Sequence, residues 1–269
     1  MAIPLEDNYN DVLNKAQRGL QIADNDLAAK SGVDAAAVKT LREGQFDEAA
    51  ARKVAPLLGL NADAVVDLAL GRSQPAPINL DGLAAYNTQF DDMTVNSYLI
   101  WDPETREAAA FDTGTDCSGM LELAAANGLK IKLILLTHTH GDHVFELDRL
   151  KEKTGAPAFV SSRENFDGAE AFEVGKRFTL GKLRIETRLT WGHSRGGITY
   201  VVTGLAKPLA VVGDALFASS MGGGAVSYAA ALDTNRAQIF SLSDDTIICP
   251  GHGPLTTVAR EKKHNPFFA

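Results

Sequence analysis

The sequence HTHGDH, residues 138–143, directly follows the apolar run KLILLT, residues 132–137. Such a short apolar run is typical of a buried strand. Residues two apart on an extended segment face the same side, so the first two histidines can direct their imidazoles to one point. The glycine permits a sharp change of direction. We therefore expect the aspartate and the last histidine to turn toward a second, adjacent point.

Three further metal-type ligands each follow a predicted strand and lie in a Gly-rich loop. They are His193 in WGHSRGG, Asp214 in VVGDALF and His252 in CPGHGP. Strand ends that each deliver one ligand are typical of a site built at one edge of a scaffold. Imidazole and carboxylate together are the ligand set of zinc, iron or manganese. The sequence therefore predicts a metal site, whereas His264, in a charged segment, is expected to be a surface residue.

The ligand motifs resemble those of the metallo-β-lactamase-fold hydrolases. HTHGDH, GHSRGG, GDALF and PGHGP are most similar to the motifs of glyoxalase II (hydroxyacylglutathione hydrolase) and its short bacterial relatives, and the resemblance covers residues 78–269. Asp112 in FDTG and Asn96 in VNSYLI also fit places where the family carries an acid and an asparagine near the site. The resemblance implies an α+β fold, a four-layer αββα sandwich with metals at one edge of its two sheets.

The resemblance also implies a ligand assignment for two divalent metal ions, with zinc as the default and iron or manganese as alternatives. One metal would take His138, His140 and His193, the second would take Asp142, His143 and His252, and Asp214 would bridge both together with a hydroxide. Two cations about 3.5–4 Å apart lower the pKa of a shared water and stabilise an oxyanion. Asp142 is the predicted catalytic residue, which would orient the hydroxide as a general base.

The predicted function is hydrolysis of a small thioester, in which the metal-bridging hydroxide attacks the carbonyl. Two alternatives of the same fold stay open: a mononuclear iron persulfide dioxygenase, which keeps one iron on two histidines and one aspartate, and a lactonase. The sequence contains no Ser-x-x-Lys motif of serine hydrolases, and its Gly-x-Ser-x-Gly match, residues 192–196, includes the candidate ligand His193. It contains no Walker A or dinucleotide-binding motif either.

A Gly-rich segment, MGGGAVSY at Met221–Tyr228, lies between Asp214 and the last predicted helix. In relatives this place shapes the substrate pocket. Its glycines indicate flexibility or close approach of a substrate, and a plain flexible turn is an equally good interpretation. Arg195 and Tyr228 are candidates for substrate contact, although such residues in loops more often lie at the surface.

The composition changes near residue 71, which predicts an all-α domain at residues 1–72, a linker at 73–77 and the catalytic domain at 78–269. The predicted N-terminal helices span 8–20, 24–31, 34–43, 47–59 and 61–70. Asp24, Asp34 and Asp47 are their candidate N-caps. In the catalytic domain we predict strands at YNTQFDD, NSYLIWD, EAAAFDTG, KLILLTH, 183–190, 198–203, 208–212 and 246–249, and helices at 117–127, 143–155 and 228–242.

The segment NDLAAKSGVDAAAVKTLREG resembles the helix-turn-helix of small phage-repressor-type regulators. Its second helix offers only Lys39 and Arg42 against Asp34 and Glu43. Residues 1–72 contain 8 Lys and Arg against 11 Asp and Glu, whereas phosphate contact requires a basic footprint. We therefore expect no DNA binding. The favoured interpretation is a helical bundle packed on the enzyme or against a partner subunit, with a homodimer in the second case.

The overall composition indicates which binding partners and which cellular compartment to expect. The net charge is −8 and the pI is about 5.3, so no electrostatic case exists for nucleic acid or an anionic membrane. The N-terminus lacks the basic and apolar regions of a signal peptide. Two cysteines, Cys117 and Cys249, are interpreted as buried residues of a protein in a reducing compartment. The sequence thus predicts a soluble cytoplasmic enzyme with a small-molecule substrate.

Overall fold

The chain folds into an α-helical N-terminal region followed by two β-sheets covered by helices. The computed structural model describes residues 3–164 and 166–269. The N-terminal region contains α1 (Tyr9–Leu20), α2 (Asp24–Ser31), α3 (Ala35–Arg42), α4 (Glu48–Val54), a 3-10 helix (Ala55–Leu58) and α5 (Ala62–Ala69). The predicted helix 47–59 thus divides in two, because Pro56 lacks the N–H that would continue the α-helical ladder.

Side-chain caps explain where α3 and α4 begin. Asp34 accepts a hydrogen bond from the backbone N–H of Ala36 and Asp47 from that of Ala50, both at 2.8 Å. These two predicted caps are confirmed. The prediction for Asp24 is wrong, since Ala23 occupies the N-cap position of α2 without a side-chain cap, and the Asp24 carboxylate instead accepts hydrogen bonds from Gln17 and Arg42.

The first sheet has the strand order β1-β2-β3-β4-β5-β6. Its strands are β1 (Leu83–Phe90), β2 (Met93–Trp101), β3 (Glu107–Phe111), β4 (Lys130–Leu135), β5 (Ala158–Ser161) and β6 (Glu170–Phe172). The pairs β1–β2 and β2–β3 are antiparallel, and β3 to β6 are parallel. The parallel part brings the carboxyl ends of its strands to one edge of the sheet.

The second sheet has the order β12-β11-β10-β9-β8-β7. Its strands are β7 (Arg177–Leu180), β8 (Leu183–Leu189), β9 (Ile198–Thr203), β10 (Leu209–Gly213), β11 (Ile247–Pro250) and β12 (Thr256–Thr257). Only β10–β11 is parallel among the described pairs of this sheet. The sequence does not predict β5, β6, β7 or β12, because two to four residues are too few to show strand periodicity.

The described part of the chain contains five further helices: α6 (Ser118–Asn127), α7 (Gly141–Val144), α8 (Leu147–Thr154), α9 (Tyr228–Gln238) and α10 (Val258–His264). The helix predicted over 143–155 is divided into α7 and α8. The carbonyl of His143 accepts the backbone N–H of Thr113 at 2.8 Å and its side-chain hydroxyl at 3.0 Å. That carbonyl therefore accepts hydrogen bonds from a distant loop instead of from an N–H of the next helical turn. The helix predicted to residue 242 ends at Gln238, and α10 was not predicted.

Three apolar cores separate four layers, so the αββα sandwich is confirmed. Met120 of α6 and Leu150 of α8 pack on the outer face of the first sheet. Residues of both sheets fill the middle, where the rings of Phe111 and Tyr200 meet edge to face at 5.5 Å. The outer face of the second sheet, which includes Val212, packs against α9 and α10.

The N-terminal helices belong to the third core. Leu13, Val38 and Leu41 are fully buried in the same cluster as Val212 and Ile248 of the second sheet. The bundle is therefore packed on the αββα sandwich of its own chain, which is the first of the two predicted arrangements. Burial of this apolar surface, at about 25 cal/mol per Å², stabilises both parts together.

The helix-turn-helix-like surface carries paired charges. Arg42 pairs with Asp24, and Lys39 lies 3.8 Å from Glu43 on the exposed face of α3. Among the described residues, no helix has the length and apolar character needed to cross a membrane.

Candidate metal centre

The structure brings all seven predicted ligands together at one edge of the two sheets. The loops that carry them follow β4, β8, β10 and β11. The side chains form two groups of potential ligand atoms within 4.8 Å of one another, His138, His140, His193 and Asp214 in one and Asp142, His143 and His252 in the other. Apart from Asp214, which the resemblance implies as a bridge, these are the two sets of ligands that the resemblance implies.

In the first group, three imidazole nitrogens converge. His140 Nδ1 lies 3.0 Å from His138 Nε2 and 3.0 Å from His193 Nε2. Asp214 Oδ2 is 3.3 Å from His193 Nε2 and 3.9 Å from His138 Nε2. His140 therefore faces the centre through Nδ1, while the other two face it through Nε2.

In the second group, Asp142 Oδ2 lies 3.5 Å from Nε2 of both His143 and His252. Asp214 reaches this group as well, with Oδ1 at 3.3 Å from His143 Nε2 and Oδ2 at 3.3 Å from His252 Nε2. Asp214 thus lies between the two groups, in the place of the predicted bridging carboxylate.

A helical turn, rather than a glycine with unusual dihedral angles, separates the two groups along the chain. His140 is extended, with φ −66° and ψ 148°, and α7 begins at Gly141. The φ of Gly141 is not positive. The turn directs Asp142 and His143 to the second group, so the predicted change of direction is correct but its expected cause is not.

The second ring nitrogen of four histidines is held by a polar neighbour. The contacts of Nδ1 are His138 to Thr137 Oγ1 at 3.1 Å, His143 to Asp112 Oδ2 at 2.8 Å, His193 to the Gly223 carbonyl at 3.0 Å, and His252 to the Thr94 carbonyl at 2.6 Å. Partners of this kind set the tautomer and orientation of a metal-ligating imidazole. Each leaves Nε2 to face the centre.

Asp112 and Asn96 lie where the family resemblance places them. Asp112 is buried, and its oxygens accept the backbone N–H and the hydroxyl of Thr137, both at 2.7 Å, in addition to the ring of His143. Asn96 donates from Nδ2 to the carbonyls of Pro250 and Gly253, at 3.0 and 2.7 Å. Asn96 therefore holds the turn that carries His252.

Sequence reasoning missed Thr94, Thr137 and Phe217 as neighbours of the ligands. Thr137 directly precedes His138, which is the one local signal. The other two contact His252 from distant segments, the Phe217 ring at a centroid distance of 5.5 Å. In the Gly-rich segment, the position of a Cβ on Gly222 is 1.9 Å from the Asp214 carbonyl. The glycine there allows close approach of the chain to itself.

The two candidates for substrate contact differ in exposure. Tyr228 is 9% exposed and packs against Gly19 of α1, so its ring belongs to the core. Arg195 is exposed to solvent.

Burial sets the protonation of the first group. Burial and the neighbouring His143 hold the pKa of His138 well below its ordinary value. Burial and the neighbouring His193 lower the pKa of His140. Both rings are therefore neutral near pH 7, which is the form that binds a metal ion.

The charge of Asp214 dominates the second group. Burial opposes ionisation of this carboxyl, but His252 and His143 outweigh burial and hold its pKa well below its ordinary value. Burial also disfavours the charged ring of His143, but Asp214 and Asp112 raise its pKa well above the ordinary value. The same balance raises the pKa of His252 to about 9. The carboxylate of Asp214 thus stabilises positive charge in the second group.

The donor set of each group fits a cation. His143 Nε2 and Asp214 Oδ1 are buried without a hydrogen-bond partner. In the first group, a single nitrogen of His140 faces two other ring nitrogens at 3.0 Å, and it can donate a proton to only one of them. Buried polar atoms normally have partners, and a metal ion would supply one to each group.

Comparison with known proteins agrees with this geometry. Residues 90–252 match the metallo-beta-lactamase superfamily, and the chain belongs to that superfamily. It is 29% identical over 198 residues to hydroxyacylglutathione hydrolase GloC of Haemophilus influenzae, a match that covers 64% of this chain and 92% of that protein.

Two solved structures share the fold. ETHE1 from Myxococcus xanthus covers 69% of this chain and 84% of its own, with a TM-score of 0.61 and 26% identity. TTHA1623, solved in a di-iron-bound form, covers 68% of this chain and 99% of its own, with a TM-score of 0.56 and 25% identity. The chain is thus a metallo-hydrolase of this superfamily, with a His/Asp cluster at the sheet edge that could hold a metal ion.

Proposed function

We propose that the protein is a binuclear metal-dependent hydrolase of a small thioester, of the hydroxyacylglutathione hydrolase type. The observation that carries the proposal is the complete second group, Asp142, His143 and His252, with Asp214 between it and the first group. The identity to GloC supports the substrate class.

Two divalent cations bound here would lower the pKa of a shared water and stabilise the oxyanion that forms at the thioester carbonyl. The chain's own residues prepare the site for this. Asp214 stays ionised, and its carboxylate reaches both groups, with Oδ1 near His143 and Oδ2 near His193 and His252. Asp112 and the Thr94 carbonyl hold His143 and His252 with Nε2 inward. Asp142 is the proposed catalytic residue, which accepts a proton from the attacking water.

The His/Asp ligand set suits zinc, iron or manganese. Zinc is our default proposal, and iron is a direct alternative because the similar TTHA1623 is known in a di-iron-bound form. Elemental analysis of protein purified without added metal separates these metals and counts them.

A persulfide dioxygenase with a single iron is the second candidate, and the likeness to ETHE1 fits it. Such an enzyme would use the first group and leave Asp142, His143 and His252 without a metal. One iron per chain, together with oxygen consumption on a glutathione persulfide, would favour this function over thioester hydrolysis.

The deciding experiment is turnover of S-lactoylglutathione beside a panel of lactones and phosphodiesters. We expect thioester cleavage and two metal ions per chain. Activity on lactones alone would replace the thioester proposal with a lactonase and leave the metallo-hydrolase intact. His252→Ala should bind one metal ion instead of two, and Lys207→Ala, at a distant turn, should bind both.

The proposed partner is a small-molecule substrate. We propose that the protein binds neither DNA nor a membrane. Lys39 and Arg42, which would have to meet phosphates, already lie beside Glu43 and Asp24. A homodimer through the N-terminal helices remains a proposal, which sedimentation analysis can test. The proposed location is the cytoplasm.

A further inference from the structure

One loop touches ligands of both groups of the metal centre. We call residues 215–223 the ligand-contact loop. Gly222 lies against the backbone carbonyl of Asp214, and the carbonyl of Gly223 accepts from His193 Nδ1 at 3.0 Å. The ring of Phe217 meets the ring of His252 edge to face. A shift of this loop would therefore displace ligands in both groups.

Two charged residues of the N-terminal region bind this loop. Lys15 of α1 donates from Nζ to the carbonyl of Met221 at 2.9 Å, and Nζ lies 5.1 Å from the centroid of the Phe217 ring. Asp7 forms an ion pair with Lys15 and accepts from the hydroxyl of Ser220 at 2.5 Å. The side chains of Lys15 and Asp7 are only 15% and 9% exposed.

The N-terminal segment also touches the second ligand turn. The position of a Cβ on Gly253, next to His252, is 3.2 Å from the backbone nitrogen of Glu6 and 3.6 Å from the Pro4 carbonyl. The same segment thus contacts both the ligand-contact loop and the turn of His252. On its other side, the loop is held by Asn265, which donates to the Ser220 carbonyl at 2.8 Å.

A largely buried ion pair is weak evidence for stability, because desolvation offsets its attraction. Its fixed geometry can nevertheless specify one arrangement of the groups that it contacts. Lys15 and Asp7 together satisfy the Ser220 hydroxyl and the Met221 carbonyl, both in the loop beside the metal ligands.

We propose that Lys15 and Asp7 are positioning residues of the metal centre, which makes the N-terminal helical region a structural part of the site. Through the ligand-contact loop they hold His193, Asp214 and His252 in the geometry that binds metal. This inference rests on the metal centre of the proposed function, but not on its substrate.

The test compares Co²⁺ and Zn²⁺ affinity of the full-length wild type and Lys15→Met, measured by competition with a chelator. Methionine retains an unbranched side chain over Phe217 and lacks the ammonium group. We expect Lys15→Met to bind metal about tenfold more weakly, as for other residues that orient metal ligands. The visible spectrum of bound Co²⁺ should also change, and Lys15→Arg should restore both properties in part.

Ser220→Ala is a second, smaller change, which removes only the hydroxyl that donates to Asp7. Its effect should not add fully to that of Lys15→Met, because both act through one contact. Lys39→Met, on the exposed face of α3, is the matched control and should bind metal like the wild type.

Wild-type affinity and Co²⁺ spectra in both Lys15→Met and Ser220→Ala would overturn the proposal. Circular dichroism of the metal-free variants shows whether they fold. If Lys15→Met does not, Ser220→Ala alone decides. A wild type that binds no Co²⁺ or Zn²⁺ would refute the metal centre itself and this inference with it, whereas metal binding without thioester turnover would refute only the proposed substrate.

Discussion

Asp112 Oδ2 accepts a 2.8 Å hydrogen bond from Nδ1 of His143, and both side chains are buried. The hydroxyl of Thr137 donates to the same oxygen and its backbone N–H to the other, so the carboxylate cannot turn. This pair directs His143 Nε2 toward Asp214, whose oxygens lie between the two groups of ligands.

Asp112→Asn should weaken metal binding by about 10–100-fold, as for other residues that orient metal ligands. In either orientation, the amide NH₂ would face a donor, either the N–H of Thr137 or the ring of His143. Chelator competition measures the loss. Asp116→Asn, at an exposed carboxylate, is the control and should keep the wild-type affinity. Unchanged affinity in Asp112→Asn would contradict the orienting role.

Gly222→Ala should destabilise the protein by about 1–3 kcal/mol, because the added Cβ would collide with the Asp214 carbonyl and the backbone must move. Gly223→Ala is a matched control for stability, since a Cβ there meets no atom within 4 Å. Denaturant unfolding measures both. Equal stability of the two variants would show that the loop shifts freely.

Leu13→Ala should cost about 2–5 kcal/mol of unfolding free energy, since the side chain is fully buried in the core shared with the second sheet. Leu20→Ala, at a residue 43% exposed, should cost much less. Deletion of residues 1–72 leaves all seven predicted ligands in the chain. From the shared core we expect that shortened chain to aggregate or unfold, and a folded, metal-binding product would contradict this expectation.

Asp102→Asn should lower the free energy of unfolding at neutral pH. It should also make this free energy change less as the pH falls into the acid range. Burial opposes ionisation of Asp102, but hydrogen bonds from Lys182, Glu104 and Thr105 outweigh burial and lower its pKa. A lowered native pKa stabilises the fold above the unfolded value of about 3.9, and this contribution is lost as the pH falls through the native pKa. Thermal midpoints from pH 7 to pH 3 should therefore converge for the two proteins.

The two thiols should resist alkylation in the folded protein. Burial and the carboxylate of Glu146 raise the pKa of Cys117 to about 11, and burial raises the pKa of Cys249. Because the thiolate is the reactive form, iodoacetamide at pH 8 should label neither quickly. Both should react after denaturation, which is the control. Rapid labelling of the native protein would show that a buried cysteine becomes accessible.

Much of the fold could be predicted because its signals are local. Asp34 and Asp47 cap helices at the predicted places, and the strands predicted before HTHGDH and at 246–249 are present as β4 and β11. The division of the predicted helix 143–155 could not be predicted, because it depends on hydrogen bonds between Thr113 and His143 across 30 residues. The strand β6 could not be predicted either, because its three residues are too few to show the alternation of a strand.

The sequence by itself determined which side chains can bind metal, since the spacing of HTHGDH and the three later motifs identifies all seven. Only the tertiary structure decided what holds them. Lys15 and Met221 are 206 residues apart, and His252 meets the Thr94 carbonyl across 158 residues. Contacts of this kind depend on how the helical region and the two sheets stack, and a backbone carbonyl that accepts from a ligand has no sequence signature. The chemistry of the site is therefore local in the sequence, whereas its geometry belongs to the whole fold.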